Sequence, residues 1–254
     1  GSSAVRIILT LGFAGTLTGL VGVGSQAYQE QLQPVLGKGV LSNKMAGWKP
    51  FSEHTRQVQR SEFSDQRPLL ITDNYYTAAQ LKFAGFSNRV ITLDQDKAVR
   101  DGRATQLALW RMDAGAIQEH KGQPALYITE DSTLLQADKI DLMTEMCRVS
   151  QTVRPSTPLS LFAGDKAFSF YVIDELVMSE PGLKDRARPC PYPIIAWIDT
   201  PGHEAVVRGQ LTVTGWSYSE DLGIETAELM LNGKTAQSLQ YGVPRPDVVR
   251  NRDV

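Results

Sequence analysis

Residues 4–24, AVRIILTLGFAGTLTGLVGVG, constrain this chain more than any other stretch. They carry one charge, Arg6, and no Asp, Glu, Asn, Gln or Pro. About 20 such residues cross the hydrocarbon core of a bilayer as a helix. The glycines would weaken a helix in water, yet glycine is frequent in membrane helices. Gly15 and Gly19 form a small-xxx-small pair on one face, which admits a second helix closely. We therefore expect a transmembrane helix over 4–24. A buried core helix is the alternative, and a cleaved export signal fits less well because the apolar run outlasts a usual signal core. Arg6 at one end and the uncharged SQAYQ at the other favour a cytoplasmic N-terminus. The expectation is thus a cell inner membrane, with the lipid bilayer as partner and everything after residue 25 on the periplasmic side. The opening GSS, without an initiator Met, leads us to expect a piece of a longer polypeptide.

That placement bears on the two cysteines, Cys147 and Cys190. Outside the cytoplasm they can pair, whereas spacing alone equally allows two free thiols. Composition settles less. The chain has 254 residues, 42% of them hydrophobic, enough for a sizeable core and one or two domains. Its formal net charge of -2 and the lack of a basic cluster interleaved with aromatics set nucleic acid aside as a partner.

Residues 25–47 read as a juxtamembrane connector. From Trp48, WKPFSEHTRQVQRSEF predicts a helix with Pro50 in its first turn and Phe51, His54, Thr55 and Val58 on one face. His54 is expected to pack, because no second ligand type stands at metal spacing beside it. Strands and helices then alternate. Strands are expected at 68–72, 89–93, 125–130, 149–154 and 167–176, and helices at 74–84, 103–112 and 134–148. In the 103–112 helix, Leu107, Ala108 and Trp110 are available to a core. This alternation predicts an α/β domain over 48–177 with a mostly parallel, helix-covered sheet. Residues 178–192, with several charges and the prolines Pro181, Pro189 and Pro191, form a linker. From 193 to 254 the period becomes two, and Asn232-Gly233 signals a hairpin. That region reads as a partial immunoglobulin-like β-sandwich, too short for the usual seven strands.

Open α/β sheets bind ligands at the carboxyl ends of their strands. Asp73-Asn74 stands at the first such end, Asp94 at the second and Glu130-Asp131 at the third. These corners could meet a sugar or a cation, but Asp, Asn and Ser are also preferred helix caps, and EDSTLLQ has the look of one. Arg103, at an expected helix start, is a candidate anion contact. The chain has no G-x-G-x-x-G after the first strand, no P-loop lysine and no G-x-S-x-G, so no cofactor and no catalytic constellation is expected.

The order of GWKPFSEHTRQV, LLITDNYYTAAQLKFA, RVITLDQD, DGRATQLALWRMD and ALYITEDS resembles the C-terminal soluble part of bacterial integral-membrane glycosyltransferases. These are the protein mannosyltransferase and aminoarabinose transferase-like group. Gly47-Trp48, Asp73-Asn74-Tyr75 and Trp110 occupy its motif places, over residues 4–175. Around the tryptophan, relatives often show Q-Y-D-x-W where this chain has QLALW. The resemblance implies transfer of a sugar from a polyprenyl-phosphate carrier to a lipid, glycan or protein acceptor. The catalytic acid would lie in an earlier membrane loop that this chain lacks. Asp73, Asn74, Tyr75 and Arg103 remain as substrate-binding candidates. The tail, with G-x-L-x-V-x-G-W through Trp216 and YGVPRPDV from Tyr241, is similar to an immunoglobulin-like appendage of exported proteins.

Overall fold

The computed structural model describes residues 2–28, 31–32, 44, 46–177, 190–202, 205–219, 223–231 and 234–250. Most of the expected connector and linker, and Asn232-Gly233, lie outside these. The protein is mixed α/β, with one mixed sheet, small antiparallel sheets and one long apolar N-terminal helix. It divides into two compact units. The first comprises Gly1–Ala116, Leu126–Ser132 and Ser156–Phe170, and the second comprises Ile117–Ala125, Thr133–Pro155 and Tyr171–Val254.

Helix α1, Ser2–Ala27, is apolar on every face. Its span Ser3–Ser25 has mean hydropathy 1.8 and is long enough to cross a membrane. None of its most apolar stretch is buried, so the core-helix alternative is not what the fold adopts. A signal segment would meet the same test of length and composition.

In the first unit, α2 (Trp48–Phe63) begins after Gly47, whose φ is 82°. That left-handed backbone favours glycine, and a Cβ there would also press on the Leu161 side chain, 2.8 Å from its Cδ1. Phe51, Thr55 and Val58 are buried on the face their spacing predicts. Phe51 lies 4.4 Å from the Phe168 ring, and His54 packs 5.0 Å from Phe170 while bonding the Thr157 carbonyl. The strands are β1 (Leu69–Thr72), β2 (Val90–Thr92), β3 (Ala125–Thr129), β5 (Leu159–Leu161) and most of β6 (Lys166–Ile173). They hydrogen-bond in the order β2-β1-β3-β6, with β5 also on β6. β1 and β2 run parallel, whereas β5 is antiparallel to β6. The helices between them are α3 (Tyr75–Phe83), α4 (Gln95–Arg100) and α5 (Ala104–Leu109).

Three expectations are corrected here. The sheet is mixed, because β5, a short strand that sequence periodicity left hidden, and Val153–Pro155 both pair antiparallel with β6. The helix expected over 103–112 stops at Leu109, where Arg111 turns into positive φ. Leu107 is buried, but Trp110 is 60% exposed. A six-residue helix shows one side to the sheet, and the tryptophan falls beyond it.

In the second unit, α6 (Gln136–Arg148) buries Met143, Met146 and Cys147. The strand expected at 149–154 is shorter, β4 (Val153–Pro155), and pairs antiparallel with the last residues of β6. Cys147 and Cys190 are disulfide-bonded. The C-terminal region forms two antiparallel pairs, β7 (Ile195–Thr200) with β8 (Thr214–Tyr218) and β9 (Glu228–Leu231) with β10 (Lys234–Ser238). Short helix α7 spans Pro246–Arg250.

Candidate functional site

The first unit gathers polar groups where β1 and β3 end. β1 is apolar through Ile71 and delivers Asp73 and Asn74 into a buried corner, 4% and 5% exposed. The two adjacent residues do different jobs. Asn74 Oδ1 accepts the Thr77 N–H at 2.8 Å and caps α3. Its Nδ2 donates to Asp73 Oδ1 at 3.1 Å and faces Glu130 Oε2 at 3.5 Å. Asp73 caps nothing, and its Oδ2 is buried without a hydrogen-bond partner. Burial pushes its carboxyl up to about 7, with Glu130 and Asp131 adding repulsion while the Asn74 amide and the Glu130 backbone N–H pull the other way.

β3 contributes the neighbouring acids. Asp131 accepts from Thr129 Oγ1 at 2.7 Å and from Ser169 Oγ at 2.5 Å. It is not the cap expected from EDSTLLQ. The start of α6 is served by Asp138, which accepts the Leu135 N–H at 3.1 Å. Sequence reasoning also missed Lys166. In β6 the buried residues alternate, and Lys166 falls in phase with Phe168, Phe170 and Val172. The lysine is therefore carried inward and is 1% exposed. Its Nζ donates to the Ala46 carbonyl at 3.0 Å, lies 3.5 Å from the Trp48 ring centre and stands 3.9 Å from Glu130 Oε1. Burial lowers its pKa to about 8, against the pull of Glu130. A lysine in apolar phase on a strand was the available sign.

No family model, curated protein or solved structure matches the chain. The geometry therefore has to speak for itself.

The other candidates stand outside this corner. Tyr75 turns its hydroxyl to Asp101 Oδ2 at 2.8 Å, and its ring lies tilted against that of Tyr76, 4.2 Å between centres. Burial first, and then the bonds to Tyr76 and Asp101, raise the phenol pKa, while the Tyr75 hydroxyl lowers that of Asp101. Arg103 is exposed at the start of α5, whose six residues are too few for a strong N-terminal field. Asp94 does cap, accepting the Lys97 N–H at 3.1 Å, and burial raises its pKa. It borders a half-open cleft of about 340 Å³ between α4 and α5, walled by Ala98, Leu107 and Ala108. Among the described residues no group of His, Cys, Asp and Glu is placed to hold a metal. What the corner offers is an acid that is neutral or charged near pH 7, beside fixed donors and acceptors.

Proposed function

We propose that this chain is the extracytoplasmic C-terminal region of a polyprenyl-phosphate-sugar-dependent membrane glycosyltransferase. In this reading α1 lies in the inner membrane and the remainder is periplasmic, where it covers the membrane active site or selects the acceptor. The transfer chemistry belongs to a membrane body outside this chain. The observation that carries the proposal is Asp73. A buried carboxyl with an unbonded oxygen costs stability, and such costs are retained where a ligand repays them. Two further facts support the reading. The cysteines are joined, as suits an oxidising compartment. Trp48 and the Asp73-Asn74 corner, both part of the resemblance, connect through Lys166 and Glu130. The β7–β8 and β9–β10 pairs are proposed as the first strands of an immunoglobulin-like sandwich.

The test is Asp73→Asn in the full-length enzyme. Acceptor transfer should fall about tenfold, the size of one lost charged hydrogen bond, while thermal stability holds or rises. Unchanged transfer with reduced stability would make Asp73 purely structural.

A second reading, a single-pass surface protein that binds glycans or partners, draws on the exposed aromatic Trp197 in β7, 65% accessible. A multi-span hydrophobic body encoded upstream in the same reading frame would exclude it.

A further inference from the structure

The α4–α5 hairpin turns its large apolar side chains outward. Val99 is 67%, Leu109 75% and Trp110 60% exposed. The backbone holds them there. Gly102 N–H bonds the Val99 carbonyl, Arg103 N–H the Ala98 carbonyl and Met112 N–H the Leu107 carbonyl, so the hairpin is closed on itself and, among the described residues, leaves those side chains open. Behind this rim lies the Ala98, Leu107 and Ala108 cleft.

Basic groups accompany the apolar ones. Arg100, Arg103 and Arg111 are exposed, and Lys97 lies 4.4 Å from the ring of the exposed Tyr76. The exposed acids are Asp96 and Asp101, and Asp101 is already engaged by Tyr75 and Arg100. Asp94 and Asp113 are half-buried and line the cleft. Exposed Trp and Tyr beside aliphatic residues and arginines is the composition of a membrane-water interface, where rings sit at headgroup depth and cations meet phosphate.

We propose that the α4–α5 hairpin docks on an anionic lipid bilayer, with Trp110, Leu109 and Val99 entering the interface and Arg103 meeting lipid phosphates. The inference rests on α1 spanning that same bilayer. Between Ser25 and Ala46 the chain reaches no further than about 70 Å at full extension. Weak interfacial affinity therefore suffices, because the tether keeps the local lipid concentration high.

The experiment uses the full chain reconstituted into phosphatidylcholine vesicles with and without phosphatidylglycerol, one set carrying brominated acyl chains. Vesicle flotation reports anchoring, and bromine quenching of tryptophan emission reports docking. The wild type should float and be quenched more with phosphatidylglycerol. Trp110→Phe should float equally and lose most of the quenching. Arg103→Gln should lose the phosphatidylglycerol-dependent increment. Flotation with equal quenching in wild type and Trp110→Phe overturns the docking and leaves the anchor standing. Failure to float overturns both. Trp110 emission that follows protein concentration and ignores bromine assigns the face to a second copy and also overturns the proposal.

Discussion

The α/β sheet and the C-terminal hairpins are both built from short strands, yet they differ in what covers them. β1, β2 and β3 are buried at every residue. In β7 five of six residues are exposed, and β10 is exposed throughout. The sheet strands LLIT, VIT and ALYIT read as apolar runs that each close on a buried threonine, as strands covered on both faces do. The tail alternates apolar with polar residues and, among the described residues, forms two separate antiparallel pairs. The contrast teaches that pairing and covering are separate steps. Alternation is enough to pair strands, but only a second layer buries them.

The largest expected effect tests the tail's attachment. Replacing Cys147 and Cys190 with Ser opens a bond across a sequence separation of 43 residues. By loop-closure entropy this costs about 4 kcal/mol, read by denaturant unfolding with and without reductant. If reduction leaves the midpoint unmoved, the bridge does not constrain the second unit as drawn.

The buried corner comes next, through pH. Asp73 is raised from 3.8 to about 7, so the folded state holds its proton more tightly than the unfolded chain. Its contribution is complete below pH 3.8 and is lost as pH rises through 7. At 1.4 kcal/mol per pH unit this amounts to at most ~4 kcal/mol. Asp73→Asn should remove that slope and be the more stable protein at pH 8, measured by thermal unfolding across pH. An unchanged slope would assign the acid to solvent.

Lys166→Met should cost about 3 kcal/mol, since Glu130 and the Ala46 carbonyl lose a buried partner. Quenching or red-shift of Trp48 emission should accompany it. A neutral result would mean that apolar packing alone seats β6. Smallest of all, Trp197→Ser should change stability by less than about 0.5 kcal/mol, despite the size of the side chain. A core-sized loss would show that the hairpins are covered after all and would erase the contrast between the regions.

Much of this architecture was legible from local pattern. The apolar helix, the Phe51-Thr55-Val58 face and the three buried strands follow from periodicity, which short-range sterics and burial enforce residue by residue. The site was half legible. Asp73-Asn74 stood out as a corner, but cap and acid could not be told apart, because both residue types cap helices equally well. Lys166 and Trp48, 118 positions apart, meet only when β6 lies beside β3 and α2 crosses it.

The amino-acid order by itself determined a membrane-length apolar helix, an alternating α/β region and a β-rich tail, since each is written in repeats a few residues long. The tertiary structure alone decided which acid lies unbonded, which lysine is drawn inside, that the cysteines meet and that Trp110 faces outward. Those outcomes depend on contacts between distant segments, and burial, which sets the energies of charges and sulfur pairs alike, exists only once the layers have come together.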